Sequence, residues 1–167
     1  MSMDAVAERA GVSKATIYRW WPSKEMLALD ALLDWAAVRA PTRDTGSLRG
    51  DLLGLVRPWV REIRKQPFGR VIAALVTEAH NDPEFAEAYR ARFVRPRREA
   101  MRAAFARAAE RSEVAADLDV EVAIDLVYGP LYHRLLHGHA PLTERFAENV
   151  VDMALAGIAT RTPTAGR

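Results

Sequence analysis

Between Met3 and Lys24 the chain gathers side chains suited to nucleic acid: Lys14, Thr16, Tyr18, Arg19, Trp20 and Lys24. Ammonium and guanidinium groups meet phosphate oxygens, and hydroxyl and indole N–H groups donate to the sugar-phosphate backbone. An arginine fork can take guanine O6 and N7 together. The apolar residues around them have a spacing of their own. Counted from Gly11, Val6 and Ala7 lie five and four residues before, Ala10 one before, and Val12, Ile17 and Trp21 one, six and ten after. That pattern predicts two short helices crossed over a tight turn. Ala7 is small enough for a close crossing, and Gly11 takes the left-handed turn that a Cβ would strain. Val12, Ile17 and Trp21 are expected to fill the wedge. The opposite face of the second helix then presents Lys14, Ala15, Tyr18 and Arg19, with Thr16 and Trp20 at its margins, ready to enter a major groove. Paired short helices also occur as plain packing units, so spacing alone leaves both readings open.

The elements that must hold this pair are helical throughout, since apolar residues recur with a 3.6 period and almost never alternate. Ser2 caps a first helix ending at Gly11, Ser13 a second running to Trp20-Trp21-Pro22, and Ser23 a third reaching about Ala40. Leu27, Ala31, Trp35 and Val38 make the expected buried stripe of the third. Pro41 to Ser47 has no apolar side chain and reads as a linker. Beyond it, helices are expected over 47–66 and 67–80; Asp82-Pro83-Glu84 opens a rod to about Arg111 with Phe85, Tyr89, Phe93, Pro96 and Ala100 on one face. Asp119 caps a helix to about His137, and Thr143 opens the last, with Phe146, Val150, Met153, Ala154, Gly157 and Ile158 aligned. The reading is an all-α chain: a head and linker helix over 1–40, a helical body over 47–160 and a tail over 161–167.

Composition narrows the chemistry. The 167 residues are 50% hydrophobic and contain no cysteine, which excludes disulfides, thiolate catalysis and cysteine-held zinc. No run approaches the roughly 18 apolar residues of a membrane span, and an acid at Asp4 spoils any secretion signal. A soluble cytoplasmic protein is expected. The net charge of +2 is uneven: zero over 1–47, +6 over 48–111 and −4 over 112–167. His133 and His137 sit at i and i+4 with His139 close behind, a spacing that can hold a metal, but a third ligand of certain geometry is lacking and the place falls near the expected dimer seam, so no metal is expected. Asp117, Asp119 and Glu121 are explained by a helix start. No Glu-x-x-His pair, G-x-S-x-G or phosphate loop supports an enzyme, and no cofactor is expected.

The string from Ala10 to Glu25, AGVSKATIYRWWPSKE, resembles the DNA-binding signature of the TetR/AcrR family of bacterial regulators. The family pattern is AGVS, a small residue, Thr, an aliphatic, Tyr, two aromatic-type positions and SKE. The order of the later helices is similar too. The resemblance implies that Lys14 and Ala15 face base edges, that Thr16 and Trp20 contact phosphates, that Tyr18 reaches a phosphate or thymine methyl, and that Lys24 anchors the backbone. The family more often has His at the Trp20 position. Arg19 is a candidate guanine reader, or else a surface arginine making one phosphate contact. The family's DNA-binding module has three helices, and the match begins at the second. Val6, Ala10, Ile17 and Trp21 then lack part of the surface they pack against: either a first helix precedes this sequence in a longer protein, or the head is shortened, in which case weak or no operator binding is expected.

For the body, the resemblance implies a small-molecule sensor that dimerises. A ligand-responsive regulator released from a palindromic operator is one reading; a dimeric small-molecule-binding protein whose shortened head no longer reads DNA is the other. Trp59, Phe68, Ile72, Phe85, Tyr89, Phe93, Tyr128 and Tyr132 are candidate pocket lining, or plain core. Gly54, Pro58, Pro96 and Pro130 would kink helices and open space, and an apolar, aromatic effector fits such a lining. The arginine run Arg90, Arg92, Arg95, Arg97, Arg98 and Arg102 either favours an anion or coats a solvated face. Val120, Ile124, Val127, Leu131 and Leu135, with Phe146, Val150, Met153 and Gly157, are the candidate seam with a second copy. A head that reads two half-sites needs such a twofold partner.

Overall fold

The structure, a computed structural model, describes residues 2–37, 44–65 and 67–158, except the side chains at 35–37. Among them are nine α-helices, one π-helical segment and no strand. Helices α1 (Met3–Ala10), α2 (Lys14–Trp20) and α3 (Lys24–Ala37) form the head and its link. The body comprises α4 (Leu48–Ile63), α5 (Phe68–Asn81), α6 (Pro83–Tyr89), a π segment (Arg90–Val94), α7 (Arg95–Glu110), α8 (Val120–His137) and α9 (Glu144–Ile158). The caps read from sequence are present: Ser2 and Ser13 accept from the amides of Ala5 and Thr16, and Ser23 from that of Met26. Asp82 and Asp119 each accept from two amides of the turn that follows. No described helix is long and apolar enough to cross a membrane.

Helix α4 lies at the centre of the body, packed against α5, α7 and α9. Arg49, Arg57 and Arg61 on α4 pair with Asp152, Glu148 and Glu144 on α9 at 2.7, 2.7 and 2.9 Å. One series climbs while the other descends, so the ladder records an antiparallel register. Such exposed pairs contribute little stability each. The strongest polar anchor is Asp51, which is buried and accepts from the Thr45 amide and hydroxyl at 2.7 and 2.8 Å and from Arg107 at 2.9 Å. It ties the start of the body to α7.

Three expected stripes are displaced, each for a packing reason. On α3, Leu29 and Leu32 are buried in the body core and Leu27 packs against the head, while Ala31 is exposed. Val38 and the Trp35 side chain lie outside the described residues, as do Pro41 to Arg43 and the expected tail. Helix α3 touches head and body together, so no single row could cover both.

The expected Asp82-to-Arg111 rod contains the π segment, where the Arg95 amide donates to the Arg90 carbonyl, five residues back. Pro96 brings no N–H to the ladder at that point. An α-helix turns about 100° per residue, so a row at every fourth position drifts by about 40° per step. A π turn absorbs an extra residue and cancels much of that drift. Phe85, Tyr89, Phe93, Met101 and Phe105 consequently stay buried on one side, whereas Pro96 is exposed and Ala100 only half-buried. Arg97 falls in the same inward row.

The third correction concerns the candidate seam. Ile124, Val127, Leu131 and Val150 are buried inside this chain's own core, and Val120, Leu135 and Phe146 pack against it. Of the seam residues read from sequence, Met153 and Gly157 are exposed. The row that faces outward on α8 is Val122, Leu126, Gly129, His133 and Leu136. Its 4-3-4-3 spacing has the period of the inward row, and periodicity carries no sign of inside or outside.

Candidate functional site

The helical pair at the N-terminus is built as its spacing requires. Gly11 sits at φ +66°, and its amide and that of Val12 close the end of α1 on carbonyls of Ala7 and Glu8. Met3, Ala7 and Ile17 form a small buried cluster, with Val6, Trp21 and Leu27 packed around it. Ile17 is 4% exposed, so the expectation that it would be uncovered does not hold. Val6 and Trp21 are half-buried and Ala10 is exposed. Val12 departs from its expected core position at 42% exposed, because it follows the left-handed turn and stands outside the wedge.

With Ile17 turned in, the rest of α2 faces out. Lys14, Ala15, Thr16, Tyr18, Arg19 and Trp20 are all exposed, as is Lys24 beyond them. Lys14 holds Asp4 of α1 at 2.9 Å, and that partner raises its pKa. The Thr16 hydroxyl lies 2.8 Å from that of Ser13, and Lys24 lies 3.4 Å from Glu25. Tyr18, Arg19 and Trp20 have no side-chain hydrogen bond or ion pair among the described residues. Trp20 is 71% exposed, a large apolar surface to leave in water beside a row of cations. The face offers hydrogen-bond donors, positive charge and an aromatic plane, all needed on a polyanion.

The head is wired to the body. Trp21 Nε1 donates to Asp30 of α3 at 2.7 Å, and Arg92 of the π segment pairs with the other oxygen of Asp30 at 2.5 Å. The π segment in turn borders a cavity of about 310 Å³. Tyr89, Val94, Arg97, Tyr128 and Tyr132 form its wall, with Val76 from α5, and Arg98, Asp125 and Gly129 complete it. Tyr89, Tyr128 and Tyr132 were legible as candidates. Ile72, Phe85 and Phe93 are core instead; Trp59 stands behind Tyr132 and Tyr128 at 5.2 and 6.2 Å, and Phe68 packs on the core surface. Arg97 was legible only as one of an arginine run that could favour an anion; nothing in the sequence sets it apart from its neighbours.

That run divides in the structure. Arg90 and Arg95 pair with Glu87, Arg92 with Asp30, Arg98 with Glu121 and Asp125, and Arg102 with Glu121. Between Arg102 and Arg98, Glu121 is held down to about 2. Arg97 alone of the run is turned inward, its guanidinium 3.7 Å over the Phe93 ring and donating to the Phe93 carbonyl at 3.0 Å. Burial lowers its pKa. Burial likewise pushes Tyr89, Tyr128 and Tyr132 up, so the three phenols remain protonated donors. The imidazoles of His133, His137 and His139 cluster at 4.5 and 4.9 Å between rings. Among the described residues no group of three such side chains is arranged to hold a metal.

Comparison with known proteins agrees with both halves. Residues 1–31 match the family described as bacterial regulatory proteins, tetR family, and residues 42–154 match the tetracyclin repressor-like C-terminal domain. An uncharacterized HTH-type transcriptional regulator of Bacillus subtilis (strain 168), YdeS, is 35% identical over 98% of this chain and 82% of its own length. A DNA-binding transcriptional repressor TetR of Mycobacteroides abscessus is 33% identical over 92% of this chain and 80% of that protein. The solved structure of a TetR family transcription regulator superposes with a TM-score of 0.79 at 34% identity, covering 95% of this chain and 87% of the other. A helix-turn-helix head with an outward recognition face, joined to a helical body of this kind, places the chain in the TetR family of DNA-binding transcriptional regulators.

Proposed function

We propose that the chain is a ligand-responsive repressor that grips a palindromic operator as a homodimer and releases it when a small molecule enters the body cavity. The observation that carries the reading is the outward face of α2, held by buried Ile17 while Tyr18, Arg19 and Trp20 stand in solvent with no side-chain partner among the described residues. Lys14 and Ala15 meet base edges, and Arg19 pairs with guanine O6 and N7. Thr16, Trp20 and Lys24 hold phosphates, and Tyr18 takes a phosphate or a thymine methyl.

Two further features support the reading. Val122, Leu126 and Leu136 on α8 and Met153 on α9, the last 76% exposed, form an apolar face on adjacent helices that a second copy can cover. Gly129 and Gly157 have open space where a Cβ would stand, which suits close helix approach. The contacts from cavity to π segment to Asp30 to Trp21 give ligand binding a physical route to the head. For release, the ligand must bind the DNA-free arrangement better than the DNA-bound one.

Selection of duplexes from a random pool by the full chain tests the reading. The expected product is an inverted repeat whose half-site centres lie about one helical turn, or a multiple, apart. No enrichment, or a lone unrepeated site, would overturn it.

A further inference from the structure

The body cavity carries an electrostatic imbalance that identifies the chemistry of its occupant. Five arginines of the run are matched to carboxylates on the surface, and the Arg98–Asp125 pair at the cavity's edge is neutralised locally. Arg97 differs. Among the described residues no carboxylate pairs with it; the contacts it makes are the Phe93 ring and the Phe93 carbonyl. A guanidinium does not shed its proton in a protein, so this charge stays. Arg97 is half-buried, and a charge partly withdrawn from water without a counter-ion carries a cost that an entering anion removes. One of its five N–H donors is taken by the Phe93 carbonyl, leaving others for a planar two-oxygen group.

The remaining wall fixes the rest of the ligand. Tyr89, Tyr128 and Tyr132 offer ring faces and protonated hydroxyls, and Val76 and Val94 offer aliphatic surface. A volume of about 310 Å³ stands at the small end of the roughly 300–1,000 Å³ of ligand pockets. With one uncompensated charge, the site suits a monoanion rather than a phosphate dianion. We infer that the cavity takes a small amphipathic monocarboxylate, its carboxylate on Arg97 and its aromatic or alicyclic part against Tyr89, Val94, Tyr128 and Tyr132. This inference rests on the cavity being the effector site of the proposed regulator, and it names the effector's class.

The test is calorimetric titration of the full chain, without DNA, with 2-naphthoate, cyclohexanecarboxylate and their uncharged carboxamides. The acids are expected to bind at least tenfold tighter than the amides, in keeping with a charge-assisted fork. Arg97→Gln should bring acid affinity down to that of the amide, abolishing the acid-over-amide preference. Arg97→Lys keeps the charge but loses the fork; it should retain a reduced acid preference, and it carries the test if the Gln variant does not fold. Equal binding of acid and amide would overturn the charge assignment while leaving the cavity as an effector site. Failure of every acid to bind would overturn the ligand class. The same chain's duplex selection reports on the regulator reading separately, so the two can fail independently.

Discussion

Neutralising one cation on the recognition face should change how DNA binding responds to salt by an amount set by geometry. Of the four exposed cations on each head, Arg9 lies on α1, while Lys14, Arg19 and Lys24 lie on or beside α2 and, on a random-sequence duplex that offers no matching base edges, meet phosphates. Two heads give six, for a log–log dependence of affinity on salt near −5, at about −0.9 per phosphate neutralised. Lys24→Ala removes one contact per head and should flatten the slope by about 1.8. Across roughly 50 to 200 mM salt the parent then loses about 1,000-fold in affinity and the variant about 100-fold. Fluorescence anisotropy on a labelled random-sequence duplex measures this without knowledge of the operator. Lys14→Ala should weaken binding more than Lys24→Ala, because it leaves Asp4, 72% exposed and now paired at 2.9 Å, as a bare carboxylate in solvent, whereas Glu25 beside Lys24 is only 19% exposed. Arg90→Ala serves as the control, since that guanidinium is exposed on the body beside Glu87. An unchanged slope for Lys24→Ala, or an equal change for Arg90→Ala, would refute the placement of the DNA across α2 and the start of α3.

Other outcomes follow from the body. Asp51→Ala should destabilise the chain by about 3 kcal/mol in urea, the low end for breaking a buried pair, because Arg107 remains partly exposed beside Asp44. Burial pushes Asp51 up, but the Thr45 amide and hydroxyl and the Arg107 guanidinium outweigh it and hold the carboxyl below its usual value. Its contribution is therefore complete above an unfolded pKa of about 3.9 and fades as pH falls through the folded one; a parent and variant that lose stability in parallel on acidification would contradict this. Arg92→Ala and Asp30→Asn should preserve DNA binding yet blunt its response to a carboxylate ligand, measured as the shift in duplex affinity on adding saturating 2-naphthoate. Leu126→Glu with Met153→Glu should convert a dimer to a monomer in sedimentation analysis, whereas an unaltered dimer would exclude that outward face.

Local interactions made the head readable from residues alone. The caps, the glycine at φ +66° and the inward Ile17 act within a few positions of one another, so spacing specifies the turn and the outward face of α2 together. Helix order and the capping of α6 and α8 were legible for the same reason. What tertiary packing decided is which apolar row faces in. On α8 two heptad-spaced rows compete, and α5, α7 and α9 pack over Ile124, Val127 and Leu131 while Val122 and Leu126 remain outside. It also decided the fate of Arg97. A π turn ahead of Pro96 keeps the row of every fourth residue on one side, and so carries one guanidinium of a surface-like run into a cavity walled by tyrosines. Hydrophobic period and charge composition are sums over local sequence, whereas the sense of a helix face depends on neighbours far away in the chain, which close over one side and leave the other in water.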